Sequence, residues 1–165
     1  MLQEEQPPFF FQGYVHEYTW EFRGARVMLV PGFLKTTELN FGGKYNWYPQ
    51  MPWELRQVLI LEGTPRNSHP FGKRVFFLDQ QTYTPLMVLT YTPSGEFVRL
   101  SLKAHANPQF HPGSNGVPLP LLVAAVWINY TKERATIFGA GNSMTYNVDL
   151  PAQRFELMEI LRKGK

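Results

Sequence analysis

The sequence predicts a mainly β protein built on an antiparallel sheet, with one C-terminal helix and long aromatic-rich loops. The main observation lies between Trp53 and Leu100, where four apolar runs are separated by turn residues at 63–65, 79–81 and 93–95. Runs of this length, rich in Val, Ile, Phe, Thr and Tyr, are typical of consecutive antiparallel strands. A stripe of apolar residues at helical spacing occurs only after Pro151.

Composition excludes several classes of protein. The 165 residues predict a single domain spanning 1–165, and the 44% hydrophobic and 15% aromatic fractions argue against a disordered chain. The net charge of +3 comes from scattered basic residues, so we expect no nucleic-acid partner. No apolar run is long enough to span a membrane, and the N-terminus lacks the pattern of a signal peptide. The absence of Cys excludes disulfides and thiolate metal sites.

The first elements are predicted from alternation and turn chemistry. Residues 1–13 form an arm whose three consecutive Phe residues we expect to dock on the core of the domain. Residues 14–31 read as a hairpin, with aromatic side chains on one face of its first strand and Arg23-Gly24 at the turn. Residues 33–52 show no period but contain five aromatic residues, which predicts a loop folded over the sheet at the mouth of a pocket.

The four central strands are apolar on both faces. Leu59 and Leu61 point one way, for example, while Val58 and Ile60 point the other way. A sheet of this kind must be covered on both sides. One cover is the protein core, and the other is a helix, a loop, a further domain or a ligand.

The remainder of the chain contains fewer regular elements. Four Pro residues within 104–121 predict a loop, which is followed by strands at 122–130, 134–138 and 144–148. The final helix places Leu157, Ile160 and Leu161 on one face, so we expect this stripe to pack on the sheet.

No catalytic or metal-binding motif is present, so the sequence predicts a protein that is not an enzyme and has no cofactor and no metal site. The four His residues have no metal-ligand spacing, and no Ser lies in a nucleophile elbow. An esterase would need a Ser or His beside a base, and no such pair is visible. Basic residues near aromatic strands could also form a single-strand nucleic-acid platform, but a packed core with Arg and Lys reaching solvent explains them better.

Several segments resemble a family of exported bacterial proteins catalogued as domain of unknown function 1329. The segments include Trp53-Glu54-Leu55-Arg56 and, most specifically, the run from Lys73 to Asp79 followed by Thr82-Tyr83. The resemblance extends from about residue 10 to the end. It implies that this chain is the C-terminal portion of a longer protein that carries a signal peptide.

The resemblance also implies a fold and a cellular context. The fold would be that of the lipoprotein carriers (LolA/LolB-like), a curved antiparallel sheet forming a half-open barrel around an apolar ligand cavity. Members are thought to act in the periplasm or at the outer membrane, alongside lipid-exporting pumps, and not as enzymes.

These observations together predict a non-enzymatic module that binds a lipid, an acyl chain or another hydrophobic small molecule. A membrane lipid-export pump or another protein chain is the expected protein partner. The alternative is a structural domain whose apolar sheet face pairs with another chain and binds no small ligand. The residues predicted to form the hydrophobic wall are Trp20, Phe22, Trp47, Phe76, Met87, Leu89 and Trp127.

Overall fold

The structure is a computed structural model that describes residues 14–35, 38–107, 109–110, 120–139 and 151–163. Its strands are β1 (Tyr18–Pro31), β2 (Phe33–Leu34), β3 (Phe41–Gly42), β4 (Tyr48–Pro49), β5 (Trp53–Pro65), β6 (Lys73–Asp79), β7 (Pro85–Tyr91), β8 (Phe97–Ala106), β9 (Leu121–Asn129) and β10 (Arg134–Phe138). Its helical segments are α1 (Leu157–Lys163) and 3₁₀ turns at Val15–Glu17, Lys44–Asn46 and Ala152–Phe155.

The main sheet has the strand order β1-β5-β6-β7-β8-β9-β10. All of these neighbours are antiparallel, and the short strand β2 adds to the end of β8 in parallel, with Phe33 beside His105. The predicted meander of four central strands is therefore confirmed. The boundaries differ, because residues 63–65 continue β5 and residues 104–106 continue β8.

The predicted hairpin at residues 14–31 is wrong. Residues 18–31 form one continuous strand, and both halves of that strand pair with β5. The register shifts between Phe22 and Gly24, and Gly24 has a φ of 103°. Glycine adopts this φ without steric cost, so Arg23-Gly24 makes a β-bulge that bends the strand without reversing it.

The sheet is strongly curved. Strand β1 comes within 8 Å of β7 and β8, although it lies three and four strands away from them in the sheet. In a flat sheet these separations would be about 14 and 19 Å. Val30 of β1 is fully buried in one cluster with Val58, Phe77 and Leu86. The result is an open, partly wrapped barrel, as the fold-class prediction stated.

Both faces of the sheet are packed, as predicted. We call the face that carries Leu61, Phe76 and Val88 the first face; these three residues are neighbours on β5, β6 and β7. In the same row, Ser101 of β8 lies between Val88 and Trp127 of β9. The second face carries a larger apolar core, and the loop at residues 38–52 covers it. The loop residues that pack on this core are Leu39, Phe41, Trp47, Tyr48 and Met51, which confirms a loop folded over the sheet.

The C-terminal helix is shorter than predicted and begins at Leu157, after a 3₁₀ turn and an extended Glu156. Leu157 and Leu161 are exposed, so the prediction that their stripe packs on the sheet is wrong for these two residues. A helical stripe indicates that side chains share a face, but it does not identify the surface that covers them. The predicted arm at 1–13 and strand at 144–148 lie outside the described residues.

Candidate functional site

The first face of the sheet carries a compact set of apolar and aromatic side chains. Phe76, Val88 and Trp127 are buried in one cluster, and Trp20 and Leu61 pack against it. The rings of Trp20 and Phe76 lie 5.6 Å apart at a tilt of 53°, within the range of favourable aromatic pairs. We call these five residues the aromatic wall.

Trp20 is positioned by a glycine on the neighbouring strand. Gly63 lies opposite Trp20 in the β1–β5 register, and a Cβ atom on Gly63 would be only 2.7 Å from Cζ3 of the indole. The indole Nε1 donates a hydrogen bond to the carbonyl of Val15 at 2.8 Å. Gly63 has no positive φ, so glycine is needed here for space and not for backbone conformation.

Two arginines lie on the same face, in the row next to Leu61, Phe76 and Val88. The row that begins with Trp20 and Gly63 continues through Arg74 and Arg99 on β6 and β8. The two guanidinium carbons are 5.1 and 4.9 Å from the centre of the Phe71 ring, which is cation–π distance. The two side chains are only 4% and 5% exposed. They therefore belong to the interior, where the sequence had suggested Arg side chains reaching solvent.

Strand β8 extends this polar character along its length. Every second residue from Arg99 onward is polar, namely Ser101, Lys103 and His105, and all four are buried. Burial lowers the pKa of Lys103 to about 8. Burial, together with the nearby charge of Lys103, lowers the pKa of His105 to about 3, so its imidazole is neutral at pH 7. Its Nδ1 makes no hydrogen bond within the described part of the chain.

Sequence reasoning did not identify Lys103 and His105. A signal was present, because polar residues alternate with Val98, Leu100 and Leu102 along this strand. Alternation of this kind normally indicates a solvated face, whereas here both faces of β8 are buried.

An exposed apolar surface lies on the first face of β1 and β5. Phe22, Val27, Leu29 and Leu55 are each between 58% and 74% exposed. Leu29 pairs with Leu55, and Phe22 pairs with Leu61 of the wall, so this surface is continuous with the wall. We call these four residues the apolar strip.

The seven predicted wall residues do not form one surface. Trp20, Phe76 and Trp127 meet in the aromatic wall, and Phe22 is in the adjacent apolar strip. Met87 and Leu89 pack with the cluster around Val30 on the opposite face. Trp47 is in the loop that covers the second face.

A separate depression of about 480 Å³ lies at the turn after β6, and the hydrogen bonds of its charged residues stabilise this turn. It is bordered by Arg56, whose Nε donates to Oδ1 of the buried Asp79 at 2.7 Å. The other carboxylate oxygen accepts from the backbone and hydroxyl of Thr82 at 2.9 and 2.8 Å. Although burial alone raises the pKa of Asp79, these hydrogen bonds hold it below its ordinary value. Asp79 thus fixes the turn, as the sequence predicted.

The described ranges contain neither a cluster of metal ligands nor a membrane-spanning helix. Nowhere in them do three His, Asp or Glu side chains gather in a way that could hold a metal ion. None of the helices in those ranges has the length and apolar character needed to cross a bilayer.

Two solved structures share this fold. One is a crystal structure from Vibrio parahaemolyticus, described as an outer membrane lipoprotein-sorting protein domain, with a TM-score of 0.56 and 15% identity. It matches 92% of this chain and 51% of its own length. The other is a DUF1329 family protein from Desulfovibrio piger, with a TM-score of 0.51 and 13% identity over 86% of this chain and 46% of that one.

The chain thus spans about half the length of these two structures. At these identities the likeness shows the fold alone, which is the lipoprotein-carrier type that the resemblance implied. No curated protein matches the chain. The model of the family described as protein of unknown function (DUF1329) matches residues 7–160. The chain therefore belongs to the DUF1329 family.

Proposed function

We propose that this protein is a non-enzymatic module that binds a lipid or acyl chain on the first face of its sheet. The observation that carries the proposal is the continuity between the exposed apolar strip and the buried aromatic wall. Large contiguous apolar patches on a protein surface are characteristic of interaction sites, which include ligand-binding grooves. A ligand that follows β1 along the strip would pass Leu29, Val27 and Phe22 before it reached the wall, with the exposed Gln57 as a polar neighbour on β5.

The strip can contribute substantially to binding. Fully burying a Leu, Val or Phe side chain is worth roughly 1.5–3 kcal/mol, so its four residues offer about 6–12 kcal/mol before the costs of association. Since each of the four is more than half exposed, most of that free energy is still to be gained when a ligand binds.

The geometry also supports binding without catalysis. The row of register neighbours that contains Leu61, Phe76, Val88 and Trp127 includes two hydroxyl residues in the described strands, Thr136 at its β10 end and Ser101 between Val88 and Trp127. Ser101 is the one on the same strand as a histidine, His105. His105 lies four residues farther along β8, about 13 Å away in an extended strand. A serine nucleophile needs its base within hydrogen-bond reach, so these two residues do not form the pair that an esterase requires.

The fold supports a place in lipid trafficking. A structure with this fold is described as an outer membrane lipoprotein-sorting protein domain. We place the present chain in the same context, in the periplasm or at the outer membrane, as the C-terminal part of a longer family protein. A lipid-export pump in the membrane is the partner that would deliver or receive the ligand.

Lipid extraction and ligand binding test the proposal. The purified protein is extracted with organic solvent for mass spectrometry, and a fluorescent fatty acid is titrated into delipidated protein. We expect co-purified lipid and saturable binding that Leu55→Gln in the apolar strip weakens. Leu157→Gln on α1, where the Leu is 70% exposed against 74% for Leu55, is the matched control and should bind normally. Absence of both lipid and binding would contradict the proposal.

A protein-interaction domain is the second candidate, and one observation favours it. Strand β1 is at the edge of the described sheet and carries three of the four strip residues. Exposed edge strands with apolar side chains readily pair with another chain. A mass that rises with concentration in light scattering, together with no lipid binding, would support this function over the carrier.

A further inference from the structure

We infer that the ligand is an amphiphile with an uncharged head group that carries hydroxyls or amides. Its head binds to Gln57, Gln80 and Gln81 in the depression beside Leu55, and its tail lies along the apolar strip. The inference rests on the proposed function and names the chemical class of its ligand.

Gln57 interrupts a surface that is otherwise apolar. Five register pairs of β1 and β5 run along the first face, from Leu29 and Leu55 at one end to Trp20 and Gly63 at the other. Gln57 is the one polar residue among them, since every other position is aliphatic, aromatic or glycine. It pairs with Val27 of the strip, and it is exposed. A ligand whose tail follows this surface would therefore place its polar end at Gln57.

The turn after β6 places two more glutamines beside Gln57. The backbone N–H of Gln80 donates to the carbonyl of Gln57 at 3.0 Å, and Gln57, Gln80 and Gln81 all line the depression of about 480 Å³. Sites for small molecules have volumes of roughly 300–1,000 Å³, so a head group would fit here. Leu55 lines the depression and also belongs to the apolar strip, so the two features share a boundary.

The charges at the depression are already matched within the protein. Arg56 donates to Glu54 at 2.8 Å and to Asp79 at 2.7 Å, so an anionic head group would compete with two carboxylates. Asp79 is only 1% exposed, and both of its oxygens accept hydrogen bonds, from Arg56 and from Thr82. It therefore offers no oxygen to a cationic head group, and the arrangement favours a head group without charge.

Side-chain amides suit hydroxyl and amide groups. An amide has two N–H donors and a carbonyl acceptor, and a hydroxyl likewise both donates and accepts. The amides of Gln57 and Gln80 make no hydrogen bond within the described residues, so both can bind a ligand. Oε1 of Gln81 accepts from Arg56 at 3.2 Å, which orients this amide and leaves its N–H groups for the head group.

The apolar surface has the length of a long acyl chain. Leu55 and Leu61 are six residues apart on β5, which is about 20 Å in an extended strand. An extended chain of about sixteen carbons has a similar length, because each C–C bond of about 1.5 Å advances it by about 1.3 Å. A chain of this length with its head beside Leu55 would end at Leu61 and its neighbour Phe22, where the aromatic wall begins.

Three probes of equal chain length test the inference. Monohexadecanoylglycerol, hexadecanoate and hexadecyltrimethylammonium have uncharged, anionic and cationic head groups, and each is titrated at pH 7 in competition with the fluorescent fatty acid. We expect the glycerol ester to bind at least tenfold tighter than either charged probe, because its hydroxyls both donate to and accept from the amides. Gln57→Leu should weaken binding of the glycerol ester by about tenfold and leave the charged probes unchanged.

Two further variants complete the test. Gln153→Leu, at an exposed glutamine in the 3₁₀ turn Ala152–Phe155, is the matched control and should change none of the three affinities. Gln80→Leu should weaken binding of the same probe as Gln57→Leu does, so the test does not depend on how well one variant folds.

The outcomes separate the two proposals. If none of the three probes binds, the proposed function fails. If the three bind equally well, if a charged probe binds tightest, or if Gln57→Leu and Gln80→Leu both behave like Gln153→Leu, the head-group inference fails and the carrier function is retained. Free glycerol distinguishes an amphiphile from a small polar ligand. It should not compete, and glycerol binding as tight as that of the glycerol ester would overturn the inference.

Discussion

Gly63→Ala tests how the aromatic wall is built. The new Cβ would lie 2.7, 3.0 and 3.1 Å from three carbons of the Trp20 ring. Because carbon atoms pack at about 3.5 Å or more, the indole must move away by roughly 0.8 Å. Overpacking costs about 1–3 kcal/mol, and disturbing the bond from Nε1 to Val15 adds about 1 kcal/mol. Alanine also lowers the conformational entropy of the unfolded chain relative to glycine, which stabilises the folded protein by up to about 1 kcal/mol. We therefore expect the free energy of unfolding to fall by about 2 kcal/mol.

Urea denaturation of a double-mutant cycle measures this effect. In a domain of this size, a loss of about 2 kcal/mol lowers Tm by roughly 4–8 °C. The penalty of Gly63→Ala should fall below about 0.5 kcal/mol in a Trp20→Leu background, because the ring that it displaces is then absent. An equal penalty in both backgrounds would refute the reasoning, since the cost would then not come from contact with Trp20.

Three further predictions concern buried polar groups. Asp79→Ala leaves Arg56 without its buried partner and should lower the free energy of unfolding, measured by urea denaturation, by about 3–5 kcal/mol. A decrease of less than about 1 kcal/mol would contradict this prediction. The pKa of His105 is 6.5 in the unfolded chain and about 3 in the folded protein, so the unfolded chain binds a proton more readily. The free energy of unfolding should therefore fall by roughly 5 kcal/mol as the pH drops from 6.5 to 3. His105→Phe should remove this fall, and an unchanged pH profile would contradict the pKa. Lys103 titrates near pH 8 when folded and at 10.5 when unfolded, so stability should rise by roughly 3 kcal/mol across that window in the native protein. Lys103→Met should show no such rise.

The meander of central strands was predictable because each strand has a local signal. The run from Lys73 to Asp79 is a strand from its first residue to its last, and Asp79 begins the turn that its side chain stabilises. Period-two alternation and turn residues act within a few positions of each other, so they can be read without tertiary information. The same alternation indicated correctly that the central strands carry buried apolar side chains on both faces.

The composition of the wall was only partly predictable. Alternation shows which residues of one strand share a face, but it does not relate the faces of different strands. From the sequence, Met87 and Leu89 therefore looked equivalent to Phe76. The register places Phe76 on the first face and both Met87 and Leu89 on the second face. The bulge at Gly24 shows the same limit, because glycine with a positive φ serves a turn and a bulge equally well.

The buried cations were not predictable from their own strand. The residues that alternate with Leu100 and Leu102 would be solvated on an open sheet face. Arg99 and Lys103 are instead buried, and the ring of Phe71, from the segment before β6, lies against the Arg99 guanidinium. Burial of this kind is a tertiary property, and only the structure reveals it.

Tryptophan quenching by a brominated fatty acid tests the central claim most directly. Of the four Trp residues, Trp20 and Trp127 are in the aromatic wall, and Trp47 is in the loop over the second face. Trp53 is exposed and lies two residues from Leu55 on the same face of β5, so every protein compared, including the reference, carries Trp53→Phe. Since bromine quenches by contact, the loss of fluorescence identifies the face on which the acyl chain binds. We expect Trp20→Phe combined with Trp127→Phe to abolish most of the quenching, and Trp47→Phe to leave it intact. Quenching that survives the double variant and disappears with Trp47→Phe would contradict the account, because the ligand would then bind on the second face.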